Sequence, residues 1–241
     1  MHAISALDES RRNVARVAGF TFLFAFALVV VANYGINFRL IVPGNAVDTA
    51  RNITAHETLF RLNIACNLLY STSVLVLLAA LYVILEPVNR TLALIAALCR
   101  LVFAFIWGLA SLNSLSALRL LGDTAYLSVF ATGQLQTLAR LHLTASWDAY
   151  YVGLPFWAVA STICAYLLFT SRYVPRALAA FGIIASAWCV FCAFAFIVVP
   201  HFDQTVGAYW FDVPMTLFEM ALGVWLLLKG VRPSAPAGPA K

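Results

Sequence analysis

Long apolar runs separated by short polar segments dominate the pattern of the chain. A helix that crosses a membrane needs roughly 20 mainly apolar residues, and six runs meet that length. They lie near residues 17–37, 60–85, 91–118, 147–170, 177–199 and 211–229. The run from Thr72 to Leu85 does not alternate between polar and apolar residues, as a strand of a membrane barrel would. The pattern therefore predicts an all-α integral membrane bundle of six transmembrane helices.

The composition argues against a soluble protein and sets the limits of the bundle. Hydrophobic residues make up 63% of the chain and charged residues 10%, against about 45–50% and about 25% in soluble domains. Residues 1–16 carry several charges and precede an apolar run long enough to span. We therefore predict a cytoplasmic N-terminal segment, 1–16, followed by an uncleaved anchor. The transmembrane domain is predicted over 17–230, and the Pro/Ala-rich tail, 231–241, is predicted to be disordered.

The distribution of Lys and Arg predicts which helix ends face the cytoplasm. With the N-terminus inside, nine basic residues fall on inner segments and five on outer loops, and cytoplasmic loops are those that collect Lys and Arg. We therefore predict a protein of the cytoplasmic (inner) membrane with both termini cytoplasmic and the lipid bilayer as its surroundings. The net charge of +5 then reflects topology, and no nucleic-acid partner is expected.

The segment between the third and fourth spans is too polar to cross a membrane comfortably. Residues 119–146 read RLLGDTAYLSVFATGQLQTLARLHLTAS, in which leucines at 135, 138, 141 and 143 form a loose apolar face. Such a face suits a helix that lies in the membrane interface. We predict an interfacial helix here, between transmembrane helices 3 and 4, with a cap that dips into the bundle as the alternative.

Arg100 interrupts the third apolar run within AALCRLVFAF, residues 96–105. On a helix, its face carries mainly small and polar residues, whereas the opposite face carries bulky ones such as Ile95 and Leu98. Small and polar residues suit close packing of helices and bulky aliphatic residues suit lipid. Arg100 is therefore predicted to face protein, and its charge at mid-membrane requires a counter-ion.

Glu219 is the one acidic residue in the interior of a predicted span, since Asp148 and Asp212 lie at the first turns of theirs. Arg100 lies ten residues from Arg90 at the inner edge, and Glu219 lies ten residues from Lys229. Both residues are thus roughly 15 Å deep, and we predict that their side chains form a salt bridge. The pair either pins helices together or serves a ligand, and the sequence leaves both alternatives open.

A second set of polar residues gathers in the outer half of the spans. Asn33 and Asn37 lie one turn apart in the first span, and Asn63 and Asn67 repeat that spacing in the second. These side chains either line a polar cavity open to the outside, with the Arg100–Glu219 pair near its floor, or bond across helices as structural contacts. The full set of candidate ligand-binding residues is Arg100, Glu219, Asn33, Asn37, Asn63, Asn67, Tyr70, Trp107, Asn113, His142, Asp148 and Tyr151.

Motifs for catalysis and cofactor binding do not occur in the chain. His56 and Glu57 begin like a zinc-protease motif, but Phe60 stands where the second histidine belongs. Cys189 and Cys192 are spaced as CxxC within an apolar helix, where free cysteines behave as small hydrophobes. These motifs identify no catalytic residue, and we expect neither a metal nor a cofactor.

Several phrases of the chain resemble one family. They are VPGNAVDTARNITAHETLFRLNIACN, LYVILEPVNRTLALIAALCRLVFAF, SRYVPRALAAFGI and EMALGVWLLLKG. In their order and spacing they are similar to domain of unknown function 4386 (DUF4386), from about the first span to Lys229. The resemblance implies a polytopic membrane protein, mainly prokaryotic, in which Arg61, Arg100 and Glu219 match positions of the family. It implies no catalytic residue.

Three classes of function remain open from the sequence. A small-molecule binding or transport protein is favoured, because the polar residues gather at one depth and Arg100 suits an acidic group of a ligand. The first alternative is an integral membrane enzyme that uses Glu219, Asp148 or His142 as acid or base. The second is an accessory protein that acts through partners bound to its membrane body.

Overall fold

The computed structural model describes residues 2–122 and 125–231, without the side chains of 2–10, 126, 203, 204, 208 and 209. The described chain is helical and contains no β-strand. The predicted tail, 231–241, lies outside the described residues except for its first residue, and the first residue of the predicted segment 1–16 lies outside them as well. The all-α fold class is therefore confirmed for the described part of the chain.

Ten α-helices follow one another along the described residues. They are α1 (His2–Val30), α2 (Phe38–Leu40), α3 (Ala46–Ala55), α4 (Glu57–Leu85), α5 (Arg90–Leu121), α6 (Thr132–Ser171), α7 (Arg176–Val198), α8 (Phe202–Thr205), α9 (Ala208–Phe211) and α10 (Val213–Lys229). A π-helix, Val31–Asn37, joins α1 directly to α2, and a 3-10 turn, Ala125–Leu127, precedes α6.

Five helical stretches among the described residues are long and apolar enough to cross a membrane. They are Arg11–Leu40, Glu57–Leu85, Arg90–Leu121, Thr132–Ser171 and Arg176–Val198. Each coincides with one of the first five predicted spans, of which the fifth ends one residue beyond its helix, and by length and composition they indicate a membrane protein. The sixth predicted span, 211–229, coincides with the 17-residue helix α10, and its crossing of the membrane remains a prediction.

The polar segment before the fourth span is organised differently from the expectation. Residues 132–146 are the first part of α6, which runs for 40 residues without interruption and contains Pro155. A separate interfacial helix between the third and fourth spans is thus not present among the described residues. The physical reason is local, since neither Gly nor Pro occurs from residue 134 to 152 to end a helix there.

Side-chain caps and glycines set several of the helix ends. The Asn45 side chain accepts a hydrogen bond from the backbone N–H of Asp48 at the start of α3, and Asn89 does the same for Leu92 at the start of α5. Gly230 ends α10 with a φ of 68°, a conformation that only glycine adopts without strain. These are the polar turns that separate the apolar runs in the sequence.

The first of two compact units consists of residues 2–24, 74–102 and 154–231 of the described chain. Its helices α1 and α10 touch backbone to backbone, because a Cβ added to Gly19 would lie 2.6 Å from the carbonyl oxygen of Gly223. Gly182 on α7 likewise leaves room for the buried ring of Phe218, whose Cε2 and Cζ atoms would overlap a Cβ at this position. Glycine therefore sets the spacing of these helices, as in other membrane bundles.

The second unit consists of Ala25–Ser73 and Phe103–Gly153. Its core is an apolar cluster contributed by the π-helix and the five helices α2 to α6. The buried members are Ile36, Leu40, Ile53, Phe60, Ile64, Ala117, Leu118, Ala139 and Leu143. Ala139 and Leu143 lie in the first part of α6 and are buried in the unit, whereas Leu138 and Leu141 of the predicted apolar face are exposed.

Candidate functional site

Arg100 is almost fully buried in the first unit. Its relative exposure is 1%, and Ala93 and Ala96 on the same face of α5 are buried with it. On the opposite face Ile95 and Leu98 are exposed. The predicted orientation is therefore confirmed, with the arginine against protein and the aliphatic side chains outward.

The predicted pairing of Arg100 with Glu219 is confirmed as well. Nη2 of Arg100 lies 3.5 Å from Oε1 of Glu219 on α10. The hydroxyl of Ser161 on α6 links the two, because it accepts from Nη2 at 3.1 Å and donates to Oε1 at 2.7 Å. The side chain of Glu219 is 12% exposed, against 2% for that of Arg100. These three residues are called the Arg100 site below.

Two aromatic rings face the guanidinium of Arg100. Its Cζ atom lies 4.5 Å from the ring centroid of Trp157 on α6 and 5.8 Å from that of Phe22 on α1. The negative face of an aromatic ring attracts a cation, and more strongly where water is excluded. Both rings therefore stabilise the buried positive charge of Arg100, in addition to the carboxylate of Glu219.

Most of the hydrogen-bonding capacity of Arg100 is unused among the described residues. A guanidinium carries five N–H donors, yet Nε and Nη1 of Arg100 are buried and have no hydrogen-bond partner there. Each unsatisfied buried donor costs about 1–3 kcal/mol. Arg100 also borders a cavity of about 10 Å³ that Leu78, Tyr82 and Cys164 help to line, which is room for about one water molecule. The site therefore offers donors to a further acceptor.

Four asparagines and one tryptophan form a hydrogen-bonded chain in the second unit. The indole N–H of Trp107 donates to Oδ1 of Asn67 at 3.1 Å, and Nδ2 of Asn67 donates to Oδ1 of Asn63 at 3.1 Å. Nδ2 of Asn63 then donates to Oδ1 of Asn37 at 2.8 Å, and Nδ2 of Asn37 donates to Oδ1 of Asn33 at 3.1 Å. All four bonds run in one direction and connect α5, α4 and the π-helix. This arrangement favours the alternative in which asparagines bond across helices.

An aromatic cluster adjoins this asparagine chain at Trp107. Its ring centroid lies 4.7 Å from that of Tyr70, 5.5 Å from that of Phe103 and 5.9 Å from that of Tyr150. Tyr150 in turn lies 5.4 Å from Tyr151. Such tilted and edge-on contacts add packing energy beyond the area that the rings bury. Of the predicted candidates, Tyr70, Trp107 and Tyr151 thus belong to one cluster.

The remaining polar candidates, Asn113, His142 and Asp148, also lie in the second unit. Nδ1 of His142 lies 3.0 Å from Oδ1 of Asn113. Because an amide oxygen only accepts, the Nδ1–H of His142 donates in this contact. Asp148 is exposed and has no hydrogen bond or ion pair with any described residue. Within the described residues, no group of three His, Cys, Asp or Glu side chains is placed to hold a metal ion.

Sequence reasoning did not find Ser161, which joins the two charged residues. A signal was available, since Ser161 lies eleven residues from Arg172 and hence roughly 16 Å from that helix end, close to the depth of Arg100. Trp157, one turn earlier on α6, was also missed. Its ring marks the same face of the helix as Ser161.

The asparagine chain predicts a measurable contribution of Asn63 to stability. Asn63→Leu removes one donor and one acceptor from the middle of the chain and leaves Oδ1 of Asn37 without its donor from Asn63. We expect a loss of about 1–2 kcal/mol, or a fall of roughly 2–8 °C in the unfolding temperature in detergent. Thr72→Val is the control, because Thr72 is exposed and bonds only to Leu69 of its own helix. A fall no larger than that of the control would contradict the structural role of the chain.

Comparison with known proteins identifies a family but no relative of known activity. Neither a curated protein nor a solved structure matches the chain. The family model described as domain of unknown function (DUF4386) matches residues 17–230, a range that contains the Arg100 site and the asparagine chain. The chain therefore belongs to the DUF4386 family.

Proposed function

We propose that the protein is a small-molecule binding or transport protein whose ligand is a small carboxylate held at Arg100. The observation that carries this proposal is the pair of buried, unpartnered donors, Nε and Nη1 of Arg100, beside a cavity. A protein that used Arg100 only to pin helices together would gain by satisfying these donors internally. Buried donors without a partner, on a residue that borders a cavity, instead suit a ligand that brings its own acceptors.

The chemistry of Arg100 selects the class of ligand. A guanidinium matches the two oxygens of a carboxylate with charge-assisted hydrogen bonds, which are stronger than neutral ones. The rings of Trp157 and Phe22 exclude water from one side and strengthen these bonds. Since the cavity has room for about one water molecule, a ligand of several atoms requires that lining side chains such as Leu78 and Tyr82 move aside.

The proposed membrane arrangement has six crossings, with α10 as the last. Its 17 residues reach the lower limit of about 17–25 for a spanning helix, and it packs against α7 in the first unit. Six crossings place both termini on one side, and the excess of Lys and Arg on those segments supports the cytoplasmic side of the inner membrane. We propose the outer side of the membrane for the polar helix ends that carry the asparagine chain.

The length of α6 supports an outer segment that leaves the hydrocarbon core. Its 40 residues measure about 60 Å, whereas the core of a bilayer is about 30 Å thick. We propose that its first part, 132–146, lies at or beyond the outer interface, where its polar side chains keep contact with water. In this proposal residues 132–146 lie in the membrane interface as the first part of the continuous helix α6 and not as a separate helix.

Formate is a suitable probe because it is the smallest carboxylate. At ten times its dissociation constant, formate should stabilise the purified protein by roughly 1.4 kcal/mol, which raises the unfolding temperature by about 3–6 °C. Arg100→Gln should abolish this shift, whereas Arg61→Gln should keep it, because Arg61 is exposed and pairs with Glu57. The measurement is thermal unfolding in detergent at constant ionic strength, with formamide as the uncharged control.

Two results would refute the proposal. In the first, Arg100→Gln responds to formate as the wild type does, which would place the anion elsewhere. In the second, neither formate nor the larger acetate and lactate ions shift the unfolding temperature of the wild type.

A further inference from the structure

We infer that binding of a carboxylate at Arg100 is coupled to protonation of Glu219. Ionised Glu219 takes the place of the ligand in the empty protein, and each carboxylate that binds enters together with one proton, which Glu219 takes up. The inference rests on the proposed function and adds its regulation. In one arrangement ionised Glu219 balances the charge of Arg100. In the other the ligand carboxylate balances it, and Glu219 is a neutral carboxylic acid whose proton comes from water.

The first step is that Arg100 needs one negative charge at all times. An arginine does not lose its proton in a protein, and Arg100 is 1% exposed. Among the described side chains, the acidic group in contact with it is Glu219, whose Oε1 lies 3.5 Å from Nη2. Asp212 begins α10 seven residues earlier, which is about 10 Å along the helix axis.

The second step is that the site does not favour two negative charges. At a separation of about 4 Å and an effective dielectric constant of about 20, two like charges weaken each other's binding by about a thousandfold. A carboxylate that reaches the free donors of Arg100 would lie beside Glu219 in this way. Protonation of Glu219 removes the repulsion, so the bound anion and the ionised glutamate exclude each other.

The third step is the position of Ser161. Its hydroxyl donates to Oε1 of Glu219 at 2.7 Å and accepts from Nη2 of Arg100 at 3.1 Å. A hydroxyl rotates freely and can donate or accept. When Glu219 gains a proton, Ser161 can accept a bond from it and turn its own hydrogen toward the ligand.

Other titratable groups surround Glu219 and have to be separated from it by experiment. Cys164 on α6, Cys189 on α7 and Asp212 at the start of α10 interact with it electrostatically, and Tyr82 on α4 borders the cavity beside Arg100. From α1 the neighbour of Arg100 is the apolar ring of Phe22. Asp212→Asn is the matched control, because it removes a nearby carboxylate that the inference does not use.

The test is the dissociation constant of formate between pH 5.5 and 7.5, a range in which formate itself stays ionised. For the wild type and for Asp212→Asn, the constant should rise about tenfold per pH unit wherever Glu219 is ionised in the empty protein. In Glu219→Gln, which mimics the neutral acid, it should be low and independent of pH. Formate should also raise the unfolding temperature of Glu219→Gln more than that of the wild type.

A calorimetric measurement makes the test independent of whether Glu219→Gln folds. Titration of the wild type with formate in two buffers of different ionisation enthalpy should report an uptake of about one proton per formate. Formate binding without proton uptake and without pH dependence would refute this inference and leave the proposed function in place. Absence of formate binding at every pH would refute both. A pH dependence lost in Asp212→Asn would assign the proton to Asp212 and refute the role of Glu219.

Discussion

Glu219→Gln is expected to destabilise the protein far more than Arg100→Gln. The glutamine keeps the shape and the acceptor oxygen of the glutamate and removes only its charge, which leaves the buried charge of Arg100 without compensation. Removing one partner of a buried pair in this way costs about 3–5 kcal/mol. In Arg100→Gln the carboxylate left behind can take up a proton and become neutral, and Ser161 still bonds to it, so we expect a loss of only about 1–2 kcal/mol.

The measurement is thermal unfolding in detergent of the wild type, both single variants and the double variant. Glu219→Gln should lower the unfolding temperature by roughly 10 °C, and the double variant should recover most of that loss, since no charge is then left unpaired. Arg90→Gln is the control, because Arg90 is exposed and its pair with Glu86 contributes little. Equal losses in the two single variants that add in the double variant would show that the two charges are not coupled.

Gly19→Ala is expected to have the second large effect, through steric contact between helices. The added Cβ would lie 2.6 Å from the carbonyl oxygen of Gly223 and 2.9 Å from Cα of Leu227. Both are backbone atoms of α10, so no side chain can rotate away and the two helices have to separate. Overpacking of this kind costs about 1–3 kcal/mol, and the absence of a flexible neighbour favours the upper end of that range.

Gly108→Ala is the matched control for Gly19→Ala. Gly108 also lies within a helix, α5, but a Cβ there would meet nothing within 4 Å. Alanine has the higher helix propensity, so this variant should be as stable as the wild type or more stable by about 0.5–1 kcal/mol. The measurement is the unfolding temperature of both variants in detergent, which should be lower for Gly19→Ala than for Gly108→Ala. Equal values would mean that α1 and α10 do not approach each other as closely as described.

The pairing of Arg100 with Glu219 could be predicted from the sequence because a bilayer fixes depth. Charged residues at the helix ends mark the membrane edge, and the constant rise of a helix then gives the level of each residue between them. The five long spans followed from length and composition in the same way. Ser161 carries no charge, and a spanning helix tolerates a hydroxyl at any depth, so its depth alone did not distinguish it from other hydroxyl residues and its part in the site came from the structure.

The asparagine chain includes contacts between helices that the sequence does not predict. The spacing of Asn63 and Asn67 already implied neighbours on one helix, and their bond is present. The bond between Asn63 and Asn37 joins two different helices, and which faces meet depends on packing along the whole bundle. The π-helix that contains Asn37 could not be read from the sequence either, because its hydrogen bonds differ from those of an α-helix by one residue.

The π-helix also affects how the first span tolerates changes in length. In a π turn each N–H bonds to the fifth preceding residue instead of the fourth, so Val31–Asn37 holds about one residue more per turn than an α-helix does. Deletion of Gly35, which has open space around it, lets the segment close as an α-helix while the residues on both sides keep their faces. The same deletion in the middle of α5 would rotate every later side chain by about 100°. Val31–Asn37 is therefore a point at which the first span can shorten in evolution without turning its buried face toward lipid.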